Sequence, residues 1–311
     1  HKAIENHVNF SCEASVGGGI PILMPLHQSL AANQIESIVG ILNGTTNYIL
    51  SQMTETGVNY ADALADAQKQ GFAEADPTND VCGFDAARKL AILSSIGFRA
   101  NVTFDDVLVE GIEKIDKSDI QYAKEMGYTI KLLTVALRQE NGIALNVYPA
   151  FLPDDHPLSS VKGSYNAIYV TGNIVDDVMF YGRGAGALPT ASAVMGDVIS
   201  TAQHILNGST GTGMIMTDTK RIPFYSSLKL QNSYYFRLDV DDVTGVLSQI
   251  ASAFAEHEIS ICEVVQKRKA KGVAELVLIT EMASRESILH VEKALQVLPC
   301  MRKVANVIRV M

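Results

Sequence analysis

From Ser233 to the end, the order of patterns along the chain leaves few folds open. Tyr234-Tyr-Phe-Arg-Leu-Asp-Val240 alternates as a strand does, and Asp241-Asp-Val-Thr-Gly-Val-Leu247 opens a helix that runs to about Glu256. Residues 259–267 and 273–280 then read as a hairpin, 284–297 as a second helix and 304–310 as a last strand. The order βαββαβ predicts a ferredoxin-like split βαβ unit over 230–311.

The first 206 residues carry a different rhythm. Residues 8–16 read as a strand entering the Gly17-Gly18-Gly19 turn, and 35–42 as a strand that ends in Asn43-Gly-Thr-Thr-Asn47. Thr45 or Thr46 is placed to cap a helix over 48–55, and 60–70 is an amphipathic helix stopped by Gly71. Extended stretches at 127–138, 143–148, 167–171 and 177–181, followed by a helix over 189–205, predict a mixed sheet with helices on one side. The fold class is therefore α/β (α+β). A mixed-sheet domain over 1–206 is joined by a Gly/Ser/Thr-rich linker, 207–229, to the βαββαβ unit.

Among the 311 residues, 47% are hydrophobic and 19% charged, enough apolar material for full cores. The net charge of -9 excludes nucleic acid and anionic membrane as partners, because either calls for a basic patch. The one short basic run, Gln266-Lys-Arg-Lys-Ala-Lys271, reads as a solvated hairpin. No apolar stretch is long enough for a membrane span, no signal peptide precedes the body, and Cys12, Cys82, Cys262 and Cys300 lack paired ligand spacing. These features point to reduced thiols and a cytoplasmic location.

The chemistry concentrates in Gly71-Phe-Ala-Glu-Ala-Asp-Pro-Thr-Asn-Asp-Val-Cys-Gly-Phe-Asp-Ala-Ala-Arg-Lys89. Asp76-Pro77 and Gly83 break regular structure while residues 85–93 favour helix, so acidic side chains fall on a loop that feeds a helix. Asp85 and Lys89, four apart, share one helical face. Such a cluster can bind an ammonium group and present a lysine able to give or take a proton. Spacing alone equally allows an ordinary surface helix, whose dipole favours acids early and bases late. Gly182-Arg-Gly-Ala-Gly186 at a helix entry offers free backbone N–H groups to an anion or cofactor, or simply tight packing.

In order, Glu13-Ala-Ser-Val-Gly-Gly-Gly-Ile-Pro21, Gly40-Ile-Leu-Asn-Gly-Thr-Thr-Asn-Tyr48, the 71–89 run, and Tyr181-Gly-Arg-Gly-Ala-Gly-Ala-Leu-Pro-Thr-Ala191 with Gly196-Asp197 resemble homoserine dehydrogenase. The tail resembles an ACT regulatory domain. The resemblance implies NAD(P)-dependent interconversion of L-aspartate 4-semialdehyde and L-homoserine, on the route to threonine and methionine. It makes Lys89 the proton donor, Glu74 and Asp85 substrate-holding carboxylates, and Asp80 a further acid close by. Gly71 and Gly186 match cofactor-lining positions, with NADP the expected dinucleotide and NAD the alternative. Glu13, Val16, Gly18 and Ile20 match a sodium site of one carboxylate and several main-chain carbonyls; a satisfied buried acid is the plain reading of Glu13. Thr45 is either a substrate contact or a cap, and Cys82 and Tyr181 are read as packing.

The family's nucleotide-binding domain, with its glycine-rich phosphate turn, is not matched: no G-x-G-x-x-G occurs here, and the twelve residues before Glu13 are too few for an upstream lysine of the family. The expectation is that these 311 residues alone bind NADP(H) poorly and turn over slowly. In the ACT-like tail the loop carrying Asp242 and Gly245 matches the place where an amino-acid effector binds, with threonine the leading candidate. Thr244 stands where relatives often have proline. A homodimer or homotetramer is expected. The rival reading is a non-catalytic amino-acid-binding or assembly module.

Overall fold

The computed structural model describes residues 2–211, 222–270 and 272–311. The middle of the expected linker and Lys271 of the basic run lie outside the described residues. Strand β1, Ile35–Ile41, leads into helix α1, Gly44–Thr56, because Asn43 takes extended backbone angles and its side chain accepts the Thr46 N–H at 2.8 Å. Neither Thr45 nor Thr46 is the cap, and the helix starts four residues before the expected position 48. Helix α2, Tyr60–Lys69, is capped by Asn59, and a single helical turn, Thr78–Val81, precedes α3, Phe84–Gly97. Gly83, at the entry of α3, has φ +82°; a Cβ there would lie 3.1 Å from both Val109 and Val147 side chains, so the turn needs glycine twice over.

Helix α4, Lys117–Glu125, is followed by the strands β2, Tyr128–Gln139, β3, Gly142–Pro153, β4, Tyr165–Gly172, and β5, Asp176–Arg183, and by helix α5, Ala187–Leu206. The tail supplies β6, Gln231–Asp241, α6, Val246–Ala255, β7, Ile261–Ala270, β8, Val273–Thr280, α7, Arg285–Gln296, and β9, Met301–Val310. The expected mixed sheet and βαββαβ tail are both present. The strand expected over residues 8–16 is not there, since the segment holds only a 3-10 turn, Glu13–Ser15, and α4 lies in a stretch for which no element was expected.

The strands form one sheet in the order β5-β4-β1-β2-β3-β9-β6-β8-β7, and the tail's four strands keep the last-first-third-second order of a ferredoxin-like unit. The two halves meet where β9 runs parallel to β3, with Arg309 opposite Ala150 and Val310 opposite Phe151. Side chains cross that seam. Tyr235, Val277, Ile279, Ile308 and Val310 are buried in the same apolar cluster as the inward faces of α1 and α3, and Phe151 stacks on Tyr235 at 4.4 Å. The end of the linker also pairs: Ile143 donates to Pro223 O at 3.0 Å, and Tyr225 donates back to Ile143 O at 2.8 Å. In the basic run, Lys267 binds Glu125 of α4 at 2.6 Å and lies over the Tyr122 ring, so this part of the hairpin is docked.

Under α1 lies a lysine that the sequence gives no reason to bury. Lys131 of β2 is 2% exposed and donates to Asn47 Oδ1 at 3.0 Å and to Val161 O. Asn47 in turn donates to the carbonyls of Val161, Gly163 and Tyr165, pinning the 161–165 loop to α1. Burial, with the Lys162 charge behind it, pushes the Lys131 ammonium down to about 8. The unfolded lysine titrates near 10.4, so between those values the unfolded chain holds a proton that the folded one has released, and stability rises with pH across that window. The wild type is expected to gain stability relative to Lys131→Met between about pH 8 and pH 10 in denaturant titrations; parallel curves would remove the assignment.

Candidate active site

Lys89 sits on the second turn of α3, where its ammonium binds Asp85 Oδ2 at 2.7 Å and donates to Leu42 O at 3.1 Å. Two of its three N–H donors are thereby committed, and one is left for a substrate oxygen. Asn43, the cap of α1, donates through Nδ2 to Asp80 Oδ1 at 2.7 Å and to Asp85 Oδ2 at 2.9 Å. One carboxamide therefore fixes the helix start and two carboxylates at once. Asp85 Oδ1 and Asp80 Oδ2 accept no hydrogen bond among the described residues, which leaves an acceptor on each acid for an ammonium group. The side chains of Lys89 and Asp85 are 21% and 33% exposed, so the pair is accessible from one side.

The structure brings together Lys89, Asp85 and Asp80, and it adds Asn43, which the sequence reading missed. The signal was present: asparagine directly before Gly-Thr-Thr is among the strongest helix caps. Thr45 is turned to another task, since its hydroxyl donates to Phe72 O at 2.6 Å and ties the 71–75 loop to the first turn of α1. Glu74 lies on that loop, exposed, and its carboxylate has no partner among the described residues. Cys82 donates to Glu113 at 3.2 Å; burial and that hydrogen bond push its thiol up to about 11, so it stays protonated. Tyr181 is 54% exposed and stacks on Tyr165 at 5.2 Å.

The two glycine turns interlock. Gly19 donates to Arg183 O at 3.1 Å, and a Cβ on Gly18 would lie 2.5 Å from Gly184 O. Glu13, 7% exposed, accepts from the amides of Ile22 and Leu23 through Oε1 and of Met24 through Oε2. Both carboxylate oxygens thus accept amides that lead into a short helical segment, Pro25–Ser29, so the acid is buried and satisfied, as the plain reading of Glu13 had it. For a monovalent cation, Glu13 Oε2 accepts only the Met24 amide and keeps a lone pair, and the carbonyls of Val16, Gly18 and Ile20 accept no hydrogen bond among the described residues, so hard oxygen ligands are available. For a dinucleotide, a Cβ on Gly71 would meet nothing within 4 Å and one on Gly186 only the Pro189 ring, so both glycines offer an open face to a flat group. Gly245, φ +91°, starts α6 with a similarly open face; Asp242 donates its N–H to Gly272 O at 3.2 Å. That loop extends from β6, which is separated from β1 by three intervening strands.

A lysine held by a carboxylate just past the end of β1, with free acid oxygens beside it, suits proton transfer to a small ammonium-bearing substrate, and the family match places that chemistry among the oxidoreductases. Residues 21–199 match the family described as homoserine dehydrogenase, and 234–300 match the ACT domain. Homoserine dehydrogenase of Corynebacterium glutamicum is 42% identical over 97% of this chain and 68% of its own length, and that of Bacillus subtilis is 40% identical over 99% and 72%. A crystal structure of a homoserine dehydrogenase from Thiobacillus denitrificans superposes with a TM-score of 0.92 at 37% identity, covering 97% of this chain and 70% of that one. The chain belongs to the homoserine dehydrogenase family, and its use of NAD(P) follows from that membership. Membership decides against the non-catalytic rival. Among the described residues no helix is long and apolar enough to cross a membrane.

Proposed function

We propose that this protein interconverts L-aspartate 4-semialdehyde and L-homoserine, and the observation that carries the reading is the Lys89–Asp85–Asn43–Asp80 network with its uncommitted donor and acceptors. In the reductive direction Lys89 gives its free proton to the aldehyde oxygen as that oxygen gains charge, and recovers one from water after the alcohol forms. NAD(P)H supplies the hydride when bound, and NADP is the preferred form. Asp85 Oδ1 and Asp80 Oδ2 hold the substrate ammonium, and Glu74 closes over it from the 71–75 loop. Asp85 and Leu42 O keep the Lys89 ammonium in one place, so orientation does not have to be found in each turnover.

Gly71 and Gly186 face the nicotinamide. Sodium, held by the Glu13 carboxylate and main-chain oxygens of Val16, Gly18 and Ile20, ties the two glycine turns together. The 1–206 segment forms the catalytic domain, 207–229 the connection, and 230–311 the regulatory unit, in which threonine binds by Asp242 and Gly245 and restrains flux toward threonine and methionine. Assembly as a homodimer or homotetramer in the cytoplasm accords with the open edge of β5, where Met179 and Tyr181 are exposed. The test is homoserine-dependent reduction of NADP+ and NAD+ by the intact enzyme, with and without threonine. Turnover that favours NADP+ and falls with threonine is expected; absence of homoserine oxidation with either dinucleotide would overturn the reading.

A further inference from the structure

Resting on the assignment of Asp80 and Asp85 as substrate carboxylates, we propose that Glu110 and Arg309 form a positioning pair through which the last strand of the ACT unit sets the loop that carries those acids. Arg309, two residues from the end of the chain, is 4% exposed and donates from Nη1 and Nη2 to the two oxygens of Glu110, each at 3.0 Å. Its guanidinium lies 4.1 Å from the centre of the Tyr148 ring, and Arg285 of α7 reaches the same carboxylate at 3.9 Å. Against the upward push of burial, these cations hold Glu110 below the usual carboxylate range, so it is charged at neutral pH. A bidentate fork fixes direction as well as distance.

What Glu110 does with that fixed direction is seen in its neighbours. Its own N–H donates to Val147 O at 2.7 Å, and the next residue, Gly111, presses against the acidic loop so closely that a Cβ would lie 2.4 Å from Val81 O and 2.7 Å from Cys82 Cα. Ile112 donates to Val81 O at 2.9 Å, and Glu113 accepts from the Cys82 thiol. Segment 110–113 therefore grips 81–82 at three points, with Asp80 immediately before the grip and Asp85 three residues after it. Among the described residues neither Glu110 nor Arg309 bonds to the Lys89 network. Their effect must pass through Gly111 and Ile112, and it should fall on the placement of the substrate ammonium more than on proton transfer.

The test compares Arg309→Met, Glu110→Gln and Arg309→Lys in the intact enzyme by steady-state homoserine oxidation and by hydrogen exchange. Expected are a KM for L-homoserine raised at least about fivefold in the first two variants, kcat and the KM for the dinucleotide within about twofold of wild type, and partial recovery in Arg309→Lys. The Ile112 amide, which donates to Val81, should exchange faster in the first two. Folded variants with an unchanged homoserine KM would overturn the proposal, as would failure of all three to fold, which would make the pair structural. An inactive wild type would refute the proposed reaction, and the exchange rates would then decide the coupling: an unchanged Ile112 rate overturns it, a faster one supports it.

Discussion

Replacing Lys89 by alanine in the intact enzyme is expected to lower kcat for homoserine oxidation by at least about 100-fold, the loss typical of removing a general acid or base. The KM for homoserine should change far less. The reason lies in how the lysine is held. Asp85 Oδ2 and Leu42 O take two of its donors from fixed positions, so the third approaches the reacting oxygen in a set direction and acts mainly in the transition state. Removing it takes away an interaction made while the oxygen charge develops, which lowers kcat and kcat/KM together. A Lys89→Ala enzyme with turnover within about tenfold of wild type would end its assignment as the proton donor.

The second large effect concerns the seam between the halves. Asp119 of α4 is fully buried, and its two oxygens accept from Arg237 Nε at 2.7 Å and Nη2 at 3.2 Å, from Tyr235 at 3.1 Å, from Asn306 at 2.8 Å and from the Asp116 amide at 2.9 Å. Arg237, 6% exposed, also meets Glu275 at 3.4 Å, and Glu275 accepts from Tyr122 at 2.9 Å. The Arg237–Asp119 pair and the Tyr122–Glu275 hydrogen bond both cross the join between α4 and the ACT strands. Asp119→Ala leaves the buried Arg237 guanidinium with only the longer contacts to Glu275 at 3.4 Å and Asp116 at 3.9 Å, and leaves Tyr235 and Asn306 without that acceptor, at a cost of about 3 kcal/mol. That loss should appear as a clear fall in the denaturant midpoint. A midpoint equal to wild type would show that the cluster does not hold the halves together. Replacing the whole network with apolar residues of matching volume is a different experiment, because no uncompensated charge remains.

The elements most legible in the sequence are those whose cause is local. The βαββαβ tail follows from alternation and helical periodicity within single segments, and the sheet reproduces it strand by strand. The Asp85–Lys89 pair is legible for the same reason, since four residues on a helix always stand on one face. Residues 8–16 mislead because their alternation is real while, among the described residues, no strand pairs with it; an isolated strand has no hydrogen bonds of its own. Helix α4 was readable from Asp116 and Asp119, which form a capping box, but its meaning was not: nothing near position 119 in the chain announces an arginine at 237.

By itself the sequence determined the fold class, the ACT-like order of the tail, and the acidic run with its lysine, because each is written in spacings of a few residues. Only the tertiary structure decided that Asn43 stands between Asp80 and Asp85, that Glu13 is occupied by three amides, and that one sheet passes through both halves with Arg309 gripping Glu110. The physical reason is the same in each case. Helix and strand patterns arise from backbone geometry that repeats within a segment, whereas these contacts join groups far apart along the chain, or on separate turns, whose meeting depends on how whole elements pack.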